Sequence, residues 1–92
     1  MTNRVTTELL IQNELGLHAR SATALVQLAS RFESELYLAN AEREVNGKSI
    51  MGVLLLMASK GTRITARADG PDAQELVDAL VDLVDRKFGE QR

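Results

Sequence analysis

The chain contains no cysteine and no tryptophan, and has one tyrosine, two phenylalanines, one proline and one histidine in 92 residues. Without thiols there is no disulfide, no thiolate nucleophile and no thiolate metal site, which fits a reducing cytoplasm. A lone histidine cannot supply the nitrogen and sulfur donors of a usual transition-metal site, so neither metal nor cofactor is expected. Scarce aromatics leave Leu, Val, Ile and Ala to build the core. Positive charge is not in excess either: 11 Lys and Arg face 13 Asp and Glu, for a net charge of −2. The basic stripe that nucleic-acid binding needs is missing. The longest apolar run, Val53 to Ala58, is far too short to cross a bilayer. Met1-Thr2-Asn3-Arg4 lacks the apolar stretch of a signal peptide. The acids are scattered over helix surfaces and caps, which gives paired-carboxylate hydrolysis no support.

What remains is a small apolar domain, expected to occupy residues 1–92 with 45% hydrophobic residues and no repeat or linker. Val5, Thr7, Leu9 and Ile11 alternate with Thr6, Glu8 and Gln12, predicting a strand. Ala22, Leu25, Val26, Ala29 and Phe32 recur at helical spacing and predict an amphipathic helix over 19–31. Leu36 and Leu38 mark a second strand and Arg43 to Val45 a short third. Ser49 is a favoured N-cap for a short apolar helix from Ile50 to Met57, with Gly61 as its stop. Ile64, Ala66 and Ala68 alternate with Arg63, Thr65 and Arg67 in a fourth strand. Gly70-Pro71-Asp72 then opens a third helix, striped by Leu76, Val77, Leu80, Val81, Val84 and Phe88 and stopped by Gly89. The order βαββαβα implies an α+β open-faced sandwich: a four-stranded antiparallel sheet with three helices on one face. Thr6, Glu8, Tyr37, Arg63 and Thr65 are expected on the open face.

The single histidine lies in Gly16-Leu17-His18-Ala19-Arg20, where strand gives way to helix. His18 takes the N-cap position although it is not a favoured cap residue. Backbone N–H groups and the positive end of the helix dipole face that point, and a guanidinium follows two residues later. These are parts for holding a phosphoryl group. A free imidazole offers a lone pair near neutral pH because it titrates at about 6.5. The amides of Ala19 and Arg20, with the Arg20 side chain, can receive the added dianion.

Gly16-Leu17-His18-Ala19-Arg20 resembles the active-site motif of HPr, the histidine phosphocarrier of the bacterial sugar phosphotransferase system. Asn46-Gly47-Lys48-Ser49-Ile50-Met51-Gly52 resembles the second signature of that family, around a regulatory serine. The resemblance covers nearly the whole chain and implies the same open-faced sandwich. It implies a carrier, not an enzyme, that takes a phosphoryl group from phosphorylated enzyme I and passes it to a histidine of an enzyme II A component. His18 matches the phosphorylated residue, with attachment at Nδ1, although the residues themselves leave the reacting nitrogen open. Arg20 matches its phosphate partner, and Ser49 a site modified by a serine kinase and phosphorylase. A nitrogen-related paralogue shares the motif. Where the family usually has proline after the arginine, this chain has Ser21, which leaves the turn looser and adds a hydroxyl.

Ile50, Met51 and Leu54 lie on one side of the second helix and form a candidate docking patch, with Met51 able to adapt to several partners. A phosphate on Ser49 would set about two negative charges beside it and repel an acidic partner. Simpler readings stand beside these. Ser49 is explained by capping alone, and Met51 and Leu54 by core packing. A metabolite-binding module or a pure scaffold is compatible with the same fold. A cytoplasmic monomer without membrane insertion is expected.

Overall fold

Alternation of apolar and polar residues carries Asn3–Leu10 into an extended strand, β1, with Leu9 pointing inward and Thr6 and Glu8 outward. The computed structural model describes residues 3–92; Met1 and Thr2, the start of the segment read above for a leader, lie outside the described residues. After β1 come α1 (Ala19–Ala29), β2 (Glu35–Ala39), β3 (Glu44–Asn46), α2 (Ile50–Leu55), β4 (Arg63–Gly70) and α3 (Ala73–Asp85). The sheet runs β1-β4-β2-β3 and all its pairs are antiparallel. β1 and β4 pair along their whole length, from Asn3 opposite Gly70 to Leu10 opposite Arg63. β2 fills the other side of β4, and the short β3 closes the far edge.

The inner face of the sheet presents Leu9, Leu36, Leu38, Ile64, Ala66 and Ala68, all buried. Small Ala66 and Ala68 at the centre of β4 leave room for the helices, whose Leu25, Val53, Leu76 and Leu80 complete the core. The three helices lie on one side, as the expected open-faced sandwich requires. On the open face the arginines are more than solvating groups. Arg67 stacks 4.5 Å from the centre of the Tyr37 ring. It also pairs with Asp69 at 3.0 Å and Glu44 at 3.3 Å, while Arg4 takes the other Asp69 oxygen at 2.8 Å. Arg63 bridges to Glu8 across strands at 2.8 Å. Each exposed pair contributes little alone; together they bind three strands by their polar side.

The helix ends differ from expectation by one turn or less, and each shift has a local cause. The turn after Ala29 tightens, with Arg31 and Phe32 donating to Leu28 and Ala29, which ends α1 early. α2 stops at Leu55 because Met57 enters the left-handed region (φ 51°), so Gly61 is not its terminator. Pro71 precedes the N-cap instead of entering α3. The Asp72 side chain at that cap does not bond its own helix. Its carboxylate accepts from the Ser34 hydroxyl and from the amides of Glu33 and Ser34, tying α3 to the turn before β2. These bonds, the Ser34 hydroxyl first, hold the Asp72 carboxyl below its usual range. α3 ends at Asp85 and Lys87 turns left-handed, so Phe88 lies beyond the helix and Gly89 is not its stop. Among the described residues no helix is long and apolar enough to cross a membrane.

Candidate functional site

Between β1 and α1 the chain must reverse close against the segment that follows α2. Gly16 makes this possible with φ +64°, and a Cβ there would collide with the Ala58 carbonyl and lie 2.8 Å from the Ser59 Cα. Leu17 then donates to that same carbonyl at 2.8 Å, which pins the loop to the end of α2. His18 follows as the N-cap of α1 with extended backbone (φ −134°), and its carbonyl accepts the first helical bond from Ala22 at 2.8 Å.

Ser21 secures this cap. It is fully buried, and its Oγ accepts from the His18 amide at 3.0 Å and donates to the Gly16 carbonyl at 3.0 Å. The His18 ring turns toward the Ser21 amide in the sense of a capping box, without closing a full hydrogen bond. The turn is therefore pinned, not loosened, by the residue that replaces the family's usual proline. The buried hydroxyl serves the backbone.

The imidazole is 30% exposed and sits on the rim of a shallow cavity of about 680 Å³, lined also by Glu14, Leu15, Arg20, Glu90 and Arg92. Arg20 is exposed there and has no ion-pair partner among the described residues. Opposite the helix, His18 Nε2 lies 2.7 Å from Glu90 Oε2. Glu90 arrives from the end of the chain. Lys87, Phe88 and Gly89 are all left-handed (φ 55°, 59° and 80°), and buried Phe88 anchors the turn. A left-handed non-glycine residue costs about 1–2 kcal/mol, and two occur here in succession. Asn13, fully buried, donates from Nδ2 to the Gly16 carbonyl at 2.8 Å and to Glu90 Oε1 at 2.9 Å. Those two acceptors fix the amide orientation and leave Asn13 Oδ1 without a partner among the described residues. The Glu90 side chain is only 11% exposed. Burial pushes its carboxyl up, but the bonds from Asn13 and His18 and the charge of Arg20 outweigh it, and the net shift is downward.

The second signature lies on α2. Ser49 caps that helix, accepting from the Gly52 amide at 3.0 Å. Ile50 and Met51 are exposed, Met51 at 69%. Leu54 is half-buried against the core, and the neighbouring Leu55 is exposed in its place. Leu15 and Met57, on the loops flanking the Leu17–Ala58 contact, are exposed as well.

Residues 5–86 match the model of the PTS-HPr family, described as the HPr component phosphorylation site of the phosphotransferase system. The chain belongs to the PTS-HPr family. Membership places it among the phosphocarrier components of that system. It is 51% identical over 83 residues to a phosphocarrier protein HPr of Xylella fastidiosa, covering 90% of this chain and 93% of the relative. It is 44% identical over 80 residues to a phosphocarrier protein NPr of Shewanella violacea, covering 87% and 88%. The solved structure of HPr-C-His from Thermoanaerobacter tengcongensis superposes with a TM-score of 0.87 at 44% identity, covering 98% of this chain and 99% of that one.

Two members of the site escaped the sequence reading. Asn13 follows β1 and Glu90 lies beyond α3, both outside the stretches whose periodicity marks an element. A signal existed for Ser21: a side-chain acceptor three residues after an N-cap is half of a capping box. Nothing local marks Glu90, because its partner lies 72 residues away.

Proposed function

We propose that this chain, as one phosphocarrier domain over residues 1–92, accepts a phosphoryl group on His18 from phosphorylated enzyme I. It then delivers the group to enzyme II A components in the cytoplasm. The observation that carries the reading is His18 itself: a part-exposed imidazole at the N-cap of α1, on the rim of a cavity that it shares with the exposed Arg20. Phosphoryl transfer depends on positioning and charge stabilisation more than on covalent assistance from the protein. The first amides of α1, those of Ala19 and Arg20, together with the Arg20 guanidinium, suit the incoming dianion. The site is open to solvent, and a carrier needs that openness because it must release what it binds.

Ile50 and Met51 form the partner-docking patch, with Leu54 beneath them as support. Both are exposed, and Met adapts to differently shaped partners. Ser49 is the regulatory phosphorylation site for a serine kinase and phosphorylase, and the added charge would oppose docking of an acidic partner. A Ser49→Asp variant is expected to accept phosphate from enzyme I more slowly than wild type; equal rates would refute this regulatory role.

The direct test is incubation with phosphoenolpyruvate and enzyme I, followed by intact mass measurement. An acid-labile gain of one phosphate that is lost in His18→Ala is the expected result. No gain with either the sugar-branch or the nitrogen-branch enzyme I would leave a metabolite-binding module as the better reading. The faster donor identifies the branch.

A further inference from the structure

We propose that Glu90, held by Asn13, is a positioning residue that selects Nδ1 of His18 as the phosphoryl acceptor and balances the charge formed on the ring. The inference rests on the carrier reading above. An ionised carboxylate can only accept hydrogen bonds, so its contact with Nε2 at 2.7 Å places the ring proton on Nε2. The lone pair is then on Nδ1, the nitrogen turned toward the Ser21 amide at the positive end of α1. In the transfer a bond forms between Nδ1 and phosphorus while the bond from phosphorus to the donor atom of phosphorylated enzyme I breaks, its electron pair staying with the donor. Nε2 keeps its proton, and the His18 ring takes on one positive charge. That charge develops against the Glu90 carboxylate. Delivery reverses the step: a ring nitrogen of the acceptor histidine bonds to phosphorus as the phosphorus–Nδ1 bond breaks, its electron pair returns to Nδ1, and the His18 ring becomes neutral. A carboxylate behind the histidine of a catalytic triad acts in the same way, by fixing a tautomer and stabilising an imidazolium.

The tail is built for this contact. Lys87 and Phe88 hold left-handed backbone that persists only where surrounding structure enforces it, and Phe88 is the buried anchor. Asn13 spends its buried amide on two acceptors, one of them Glu90, while its side-chain Oδ1 has no partner among the described residues. Glu14, Arg20 and Arg92 are the other charged groups lining the cavity. None of them is bonded to the ring, which leaves Glu90 as the group that orients it.

The test uses the full chain labelled with 15N-histidine, as wild type, Glu90→Ala and Glu90→Gln. Two-bond proton–nitrogen spectra at neutral pH report the His18 tautomer, intact mass reports the rate of phosphoryl gain from phosphorylated enzyme I, and a thermal scan reports folding. Wild type is expected to carry the proton on Nε2. Glu90→Ala is expected to give mixed tautomers and about a tenfold slower gain, equivalent to ~1.4 kcal/mol. Glu90→Gln retains an uncharged acceptor and is expected to recover the tautomer and part of the rate. A Glu90→Ala variant with the wild-type tautomer overturns the proposal, whether its rate is unchanged or its stability alone has fallen. If wild type gains no phosphate at all, the carrier reading fails; a mixed tautomer in that wild type then removes the Glu90 assignment too.

Discussion

Removing the Ser21 hydroxyl should unfasten the start of α1 while leaving the His18 side chain in place. In Ser21→Ala the His18 amide loses its acceptor, while the Gly16 carbonyl keeps the Asn13 donor. Loss of an N-cap contact costs about 0.5–2 kcal/mol, and a buried donor left unpaired about 1–3 kcal/mol. These ranges describe overlapping events at one amide, so a loss of about 2 kcal/mol is expected. For a domain of this size each kcal/mol lowers the melting midpoint by roughly 4–8 °C. The variant should therefore melt about 8–16 °C below wild type in a far-UV circular dichroism scan. Urea unfolding should show a lower midpoint with an unchanged slope. Amide exchange should quicken at Ala19 to Ala22 before it does in α3. A melting shift under about 2 °C would refute the reasoning, since it would mean that solvent replaces the hydroxyl at no loss.

Other consequences are open to simpler checks. Gly16→Ala combines left-handed strain with a clash against the Ala58 carbonyl, and should lose more than about 2 kcal/mol by thermal unfolding. Leu80→Ala empties the centre of the α3 interface and should cost about 2–5 kcal/mol in urea. Because the Glu90 carboxyl titrates below its ordinary value, its contribution is present above the ordinary carboxylate range and is lost as the solution is acidified through the lowered value. Wild type should accordingly lose stability in acid more steeply than Glu90→Gln, as measured by melting temperature against pH. The Asp72 carboxyl is lowered as well, so Asp72→Asn should weaken the same acid dependence.

Periodicity made most of the fold legible. β1 and β4 alternate cleanly, and the α3 stripe of Leu76, Leu80 and Val84 needed no tertiary information. The ends of elements were harder, because the left-handed residues that stop α2 and α3 are Met57 and Lys87, where glycine is the usual sign. The site divided along the same line. His18 and Arg20 share one short segment, so neighbours in the chain are neighbours in space. Asn13 and Glu90 meet only after β1 has paired with β4 and α3 has folded back. Ser21 stood in plain view, but whether its hydroxyl turns toward solvent or backbone depends on where Gly16 sits.

That pairing of the first strand with the last has a consequence for biosynthesis. During translation, β1 and the His18 loop leave the ribosome long before β4 exists, and the Glu90 contact waits for a residue 72 positions after His18. Long-range antiparallel partners must wait for one another. A nascent chain therefore exposes its histidine early, and the niche around that ring assembles only once Glu90 has emerged.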